Sequence, residues 1–385
     1  MVDEKLAFDL LRNLVAIDSV NPSLVPGARG EQAAAEFLRD WLSRQGIGAE
    51  LQFAAPGRPN VVAKIGGASA RAAAHPALLI VAHMDTVGPG DMPDPFTPIE
   101  RNGRLYGRGA LDIKSGVAAM CAAAVSIVKG GAALRRPFVI AAVVDEECNS
   151  IGTEALIKQC TADAAVVLEP TDLKLVIAHK GYAWFEFITH GRAAHGSLPS
   201  EGRDAIRMMG CVLEKLDGLD RALQARPPHG LLGAASLHAS LIEGGQELSS
   251  YPAECRLQIE RRTLPGESAA AVESELRALL DALHERDADF RATLRAMSSR
   301  PPYAIEPEAP IARAAAEAIL HVTGSAELAG MSWWTDTALL AEAGIPGVVL
   351  GPRGRGLHGA EEYVELESVT ACAEVLRQLL LTQCA

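Results

Sequence analysis

The sharpest change in the hydrophobic pattern lies at residues 137–147, which read Pro-Phe-Val-Ile-Ala-Ala-Val-Val-Asp-Glu-Glu. An unbroken apolar run, Phe138 to Val144, ends directly in three carboxylates. A run of that length with several β-branched residues predicts a strand covered on both faces. Two other stretches have the same form: residues 77–82, which end in His83-Met84-Asp85, and residues 164–168, which end in Glu169-Pro170. Residues 60–65 predict another strand and residues 66–75 a loop, while Val348-Val349-Leu350 predicts a late strand leading to a Gly-rich loop and His358. Apolar positions at helical spacing predict helices over 3–17 and 31–45, an Ala-rich helix over 116–128 and another over 309–322. Strands alternating with helices indicate an α/β domain with a mostly parallel sheet flanked by helices.

From about residue 180 the pattern changes. Residues 182–189, 234–242, 254–262 and 290–297 predict strands, and residues 203–224 and 266–286 predict helices. The order β-α-β-β-α-β is the split arrangement of ferredoxin-like domains. Pro301-Pro302 follows it. The predicted organisation is one domain of residues 1–178 and 299–385 with a smaller one, 179–298, inserted into it.

Composition narrows the function. A chain of 385 residues is long enough for two cores. A net charge of −12 argues against nucleic acid as a partner, because phosphates call for basic patches. The seven cysteines are scattered without CxxC spacing, which favours a reducing compartment and disfavours a thiolate metal site. The start, Met1-Val2-Asp3-Glu4-Lys5, lacks signal-peptide character, and no apolar run is long enough to span a bilayer. These features predict a soluble cytoplasmic protein that binds no membrane.

The polar residues at the strand ends carry the candidate chemistry. In His83-x-Asp85 the period of an extended chain places both side chains on one side, which suits a metal-bound imidazole that gives its other N–H to a carboxylate. The stretch 107–116 fails the P-loop pattern because Ile113 precedes Lys114-Ser115, and it fails the dinucleotide pattern because Asp112 stands at the third glycine position. A loop presenting Asp112 accounts for it better. Glu169 before Pro170 could by itself equally cap a helix. Together, four strand or loop ends offer His83 and Asp85, Asp112, Glu146 and Glu147, and Glu169. A mixed imidazole and carboxylate set without cysteine suits zinc, manganese or cobalt. It holds more acids than one ion needs, which points to two ions sharing a bridging carboxylate.

These elements resemble the di-zinc metallopeptidase family of acetylornithine deacetylase, succinyl-diaminopimelate desuccinylase, aminoacylase-1 and glutamate carboxypeptidase. The resemblance rests on His83-x-Asp85, the Gly107-Arg-Gly-x-x-Asp112-x-Lys114-x-Gly116 stretch, Asp145-Glu-Glu147, Glu169-Pro170 and the late His358, in the family's order. It implies two divalent ions per subunit, zinc first, with cobalt or manganese as substitutes. His83 and Glu169 would bind one, Glu147 and His358 the other, and Asp112 would bridge them. Asp85 would orient His83, and Glu146 would be the general base acting on a metal-bridged water. The inserted domain would be a lid and homodimerisation module whose His195 stabilises the oxyanion of a partner's site. A loop histidine facing solvent or the dimer interface is the alternative. Arg262 resembles the family's substrate-carboxylate arginine, although Arg261 or Arg262 could instead be a salt-bridged strand residue. Ser249 departs from the asparagine common three positions before the lid proline, here Pro252. Trp333-Trp334-Thr335-Asp336 resembles the Thr-Asp segment near the substrate pocket. The implied activity is hydrolysis of the amide of a small N-acyl amino acid, as in acetylornithine deacetylase. An exopeptidase or dipeptidase with the same site is the nearest alternative, and a non-catalytic binding protein on this fold a remote one.

Overall fold

The computed structural model describes residues 1–66 and 75–385, so most of the loop expected at 66–75 lies outside the described residues. Contacts divide the chain into two compact units. One comprises Met1–Ile177, Ile305–Ala329 and Thr335–Ala385, and the other Ala178–Ala304 and Gly330–Trp334.

The first unit is built on a sheet whose central strands run in the order Phe138–Val143, Leu78–His83, Ala164–Leu168 and Gly347–Leu350, all parallel. Antiparallel neighbours flank them, Arg58–Ile65 beside Phe138–Val143 and Leu175–His179 beside Gly347–Leu350. Every residue of Leu78–His83 and of Phe138–Val143 is buried, as continuous apolar strands between two helical layers must be. The Ala-rich helix spans Lys114–Lys129 and is buried along nearly its whole length. Its small side chains admit close neighbours, helices Glu4–Val15 and Leu366–Cys384. The latter helix carries no strong sequence signal, because Leu366, Val369, Cys372, Ala373, Val375, Leu376, Leu379 and Leu380 bury more than one of its faces and blur the period.

A small antiparallel sheet, Gly354–Arg355, Tyr363–Glu365, Arg104–Tyr106 and Ile99–Arg101 in that order, also escapes the periodicity. Strands of two or three residues are too short for alternation to register. This sheet matters for function: it ties the segment entering the Asp112 loop to the hairpin that holds His358.

The second unit is a four-stranded antiparallel sheet in the order Ser236–Gly244, Glu254–Thr263, Gly181–His190, Ala292–Arg300, with helices Ala205–Gln224 and Ala269–Arg286. The chain order is that of a ferredoxin-like domain. Phe185, Phe187, Leu257 and Ile259 of the sheet pack with Met209, Val212, Leu276 and Leu283 of the helices. Asp204 and Ser268 cap the helix starts by accepting the N–H of Arg207 and Ala271. Among the described residues no helix is long and apolar enough to cross a membrane.

His179, the last residue of strand Leu175–His179, is fully buried near the rings of Tyr303 and Trp334. Its Nδ1–H donates to the Lys180 carbonyl at 3.0 Å, and its Nε2 has no hydrogen-bond partner. Burial pushes its pKa down to about 4 from 6.5. The neutral ring is the folded form, so the stability it supports is complete above pH 6.5 and is lost as pH falls toward 4. At pH 4 the loss amounts to about 3 kcal/mol. His179→Gln should flatten the fall in unfolding free energy across that window, measured by denaturant titration; an unchanged slope would assign it to other groups.

Candidate metal centre

Three adjacent parallel strands bring the acids together. Phe138–Val143 leads into Asp145-Glu146-Glu147, Leu78–His83 ends in the imidazole itself, and Ala164–Leu168 leads into Glu169. Gly347–Leu350 lies next in the sheet and precedes the loop of His358. The carboxyl ends of parallel strands open onto one rim, where α/β sheets gather ligands. Asp112 reaches the same place from a loop whose Gly109 has φ +81° and where a Cβ would lie 2.7 Å from Thr86 Cγ2. Only glycine fits there.

His83 Nε2 lies 3.2 Å from Asp112 Oδ1, and 3.9 Å from both Glu146 Oε2 and Glu169 Oε1. His358 Nε2 lies 3.3 Å from Asp112 Oδ2 and 3.2 Å from Glu147 Oε2. One carboxylate thus faces two imidazoles, one with each oxygen. His83 Nδ1–H donates to the Asp85 main-chain carbonyl at 3.0 Å, with the Asp85 carboxylate at 3.5 Å, so in the neutral ring Nε2 turns its lone pair toward the cluster. The Asp85 carboxylate accepts from the backbone N–H groups of Glu146 and Glu147, each at 3.2 Å, and from Asn21 Nδ2 at 2.8 Å. It therefore holds the turn that carries both glutamates as well as the histidine.

The donor set fits divalent cations. Ligand atoms of His83, Asp112 and Glu147 lie within 4.8 Å of one another, as do those of His83, Glu146 and Glu169. Glu147 Oε1 is buried with no hydrogen-bond partner. The electrostatics point the same way. Burial, reinforced by Glu169, holds the Glu146 carboxyl well above the usual range, and burial does the same to Glu169. Burial and the neighbouring Asp112 raise Glu147. Burial would strip the proton from His83, but hydrogen bonds with Asp112 and Asp85 outweigh it and raise its pKa. Hydrogen bonds with Asp112 and Glu147 push His358 up to about 10. Protons gather on the cluster because it concentrates more negative charge than its own side chains neutralise, a deficit that divalent cations can fill.

Two buried arginines fix the surroundings, and the sequence assigned neither of them a role. Arg58 is bound to Glu31, donates to Asp145 Oδ1 at 2.9 Å and reaches Asn21 Oδ1 at 3.2 Å and Ser23 Oγ at 3.0 Å. Ser23 Oγ also donates to Asp145 at 2.8 Å. Arg108 pairs with Glu362 at 2.7 Å and donates to the Gly359 carbonyl at 2.9 Å. The Glu362 carboxylate in turn accepts the N–H groups of Gly109, Leu111 and Asp112 at 3.1, 2.8 and 3.1 Å. It therefore fixes the Asp112 loop from a position four residues past His358. The partners of these arginines are far apart in the chain, so no local pattern announces them.

Asp336 is buried in the first unit, accepts from Thr153 Oγ1 at 2.5 Å and leaves Oδ1 unpartnered. Burial raises its pKa to about 6. The remaining sequence candidates lie in the second unit. His195 and Ser249 are exposed on loops. Arg262 donates through Nε to Glu260 at 2.6 Å and stacks over Tyr182, whereas Arg261 is buried and pairs with Glu267 at 2.7 Å. Trp334 is buried against His179 and Tyr182, and Trp333 is exposed.

Imidazoles and carboxylates gathered at the strand ends of such a fold define a metal-dependent hydrolase of the peptidase and amidohydrolase kind. The model of "Peptidase family M20/M25/M40" matches residues 79–382, and the chain belongs to that family. An acetylornithine deacetylase from Myxococcus xanthus is 30% identical over 392 residues, covering 97% of this chain and 96% of that protein. A tripeptidase from Staphylococcus aureus superposes with a TM-score of 0.82 at 20% identity over 99% of each chain. A dinuclear metal-binding peptidase from Bacillus subtilis superposes with a TM-score of 0.76 at 16% identity over 98% of each. These two structural likenesses concern the fold.

Glu362→Gln should loosen the Asp112 loop, since an amide cannot both pair with Arg108 and accept three N–H groups. We expect a loss of roughly 3–5 kcal/mol in stability, as when one partner of a buried ion pair is removed. Cation affinity should fall with it. Denaturant unfolding and zinc titration check this, and an unchanged zinc affinity would remove Glu362 from the support of the centre.

Proposed function

We propose that the chain hydrolyses the amide bond of a small N-acyl amino acid, as an acetylornithine deacetylase does, at a pair of divalent cations. The observation that carries this reading is Asp112, whose two oxygens lie 3.2 and 3.3 Å from the Nε2 atoms of His83 and His358. Asp112 would be the carboxylate that both cations share. His83 and Glu169 would serve one ion, Glu147 and His358 the other, with zinc first and cobalt or manganese as substitutes. When bound, such ions supply Lewis acidity to the scissile carbonyl and to water.

The side chains do the rest in this reading. Glu146 takes a proton from the attacking water, whose oxygen bonds to the carbonyl carbon. The same proton goes to the nitrogen as the C–N bond breaks, leaving a carboxylic acid and a free amine. Burial and Glu169 raise the proton affinity of Glu146. Asp85 keeps His83 and the Glu146–Glu147 turn in register. His195 donates to the oxyanion of a partner subunit's site, and Arg262, with Nε engaged by Glu260, offers its two Nη groups to a substrate carboxylate.

A panel of acetylornithine, succinyl-diaminopimelate and dipeptides, assayed with added zinc or cobalt, tests the substrate class. The N-acetyl amino acid should show the highest kcat/KM. A preference for dipeptides would move the reading to an exopeptidase, and inertness toward all three would end it. Glu146→Gln should keep both cations and reduce turnover by roughly 10²–10⁴-fold; loss of cations instead would make Glu146 a ligand.

The reading includes a homodimer. Strand Ser236–Gly244 is an edge of its sheet, pairing on one side only, and it exposes Leu241 (66%) and Ile242 (58%). An open edge with apolar side chains favours addition of a second copy. Sedimentation should give a dimer for the native chain and a monomer for a Leu241→Lys, Ile242→Lys double variant. A monomeric native chain would remove this element.

A further inference from the structure

We propose that Ser197 is a positioning residue that sets the tautomer of His195. The inference rests on the reading above, in which His195 donates to the oxyanion, and it names what makes the ring a donor. The backbone N–H of Ser197 points at His195 Nδ1 at 3.2 Å, and Ser197 Oγ lies 2.8 Å from the same nitrogen. A backbone amide can only donate, so Nδ1 must present its lone pair. The proton of the neutral ring is then on Nε2, and the hydroxyl adds a second donor to Nδ1.

The segment carrying this arrangement is held firmly. The Gly196 N–H donates to the Ser249 carbonyl at 2.7 Å, and the Tyr251 N–H donates to the Ala194 carbonyl at 2.9 Å, forming a bridge between His195 and Ser250. The Leu198 N–H closes a turn onto the His195 carbonyl at 2.8 Å. A Cβ at Gly196 would lie 3.1 Å from the Ser249 carbonyl oxygen, so glycine permits the close pairing. Ser249, the departure from the family pattern, contributes here through its backbone.

The chemical consequence is direct. With the proton on Nδ1, Nε2 would turn a lone pair toward a developing negative oxygen and repel it. With the proton on Nε2, the exposed side of the ring is a hydrogen-bond donor before the substrate arrives. Such preorganised donors are what stabilise a tetrahedral intermediate.

Nitrogen-15 NMR of the full-length protein with labelled histidine tests this, with the His195 signals assigned by their loss in His195→Gln. In the native chain Nδ1 should resonate as an unprotonated ring nitrogen and Nε2 as a protonated one; a protonated Nδ1 in the neutral ring overturns the proposal. Ser197→Ala keeps the amide donor, so the tautomer should persist, with kcat lowered about two- to threefold and KM unchanged. Ser197→Pro removes both donors and should give a mixed tautomer with kcat reduced about tenfold. Ser197→Thr, which keeps both, should retain the native spectrum and rate. If Ser197→Pro leaves the tautomer unmixed in a folded protein, Ser197 does not set it. Failure of the underlying reading looks different: Nε2 is protonated as assigned, but His195→Ala leaves kcat unchanged, so the oxyanion role is lost while the tautomer assignment stands.

Discussion

Bringing the carboxylates of Asp112, Glu146, Glu147 and Glu169 into one buried cluster is the constraint around which the first unit is built. Each ionised group taken out of water costs several kcal/mol unless opposite charge compensates it. The chain compensates the outer acids permanently and the inner ones conditionally. Arg58 forms buried ion pairs with both Glu31 and Asp145, and Arg108 forms one with Glu362. Among the described residues the inner acids face only His83 and His358, whose proton affinities the cluster raises. Two imidazoles cannot balance four carboxylates, so the centre takes either extra protons or cations. Charge that is fixed at the rim and exchangeable at the middle is the property a metal-dependent hydrolase needs.

The same division explains how much could be read from the residues in order. The strand ends of the candidate site were legible because a parallel strand buried on both faces is an apolar run, and its end is a sudden polar residue. Residues 138–147 show that boundary in the plainest form. Asp112 was legible by elimination, since its loop fails the phosphate-binding patterns. The ferredoxin-like unit was legible because its strands are half buried and alternate, as Gly181–His190 does. Helix Leu366–Cys384 and the small sheet were not, the first because it is buried on several sides and the second because its strands span two or three residues. The pairings of Arg58 and Arg108 were invisible for another reason: their partners Asp145 and Glu362 lie 87 and 254 residues away. Long-range pairing leaves no periodic trace.

The acid triplet shows how neighbouring residues of one type acquire different surroundings. Asp145 has φ +68°, a left-handed turn that breaks the extended strand immediately after Val144. Its side chain meets Arg58 and Ser23, while its carbonyl accepts the Ser150 N–H at 2.6 Å. The next two backbone N–H groups are taken by Asp85, so the peptide units of Glu146 and Glu147 are held from the adjacent strand's end. With the backbone held there, the two side chains diverge, Glu146 toward His83 and Glu147 toward His358. Like charges on adjacent residues are tolerable because each faces a different partner, Arg58, His83 or His358. Replacing the turn at Asp145 with an extended residue would undo this, since the alternation of a strand would send Glu146 and Glu147 to opposite faces. The left-handed turn is therefore what lets one short segment supply two carboxylates to a single centre.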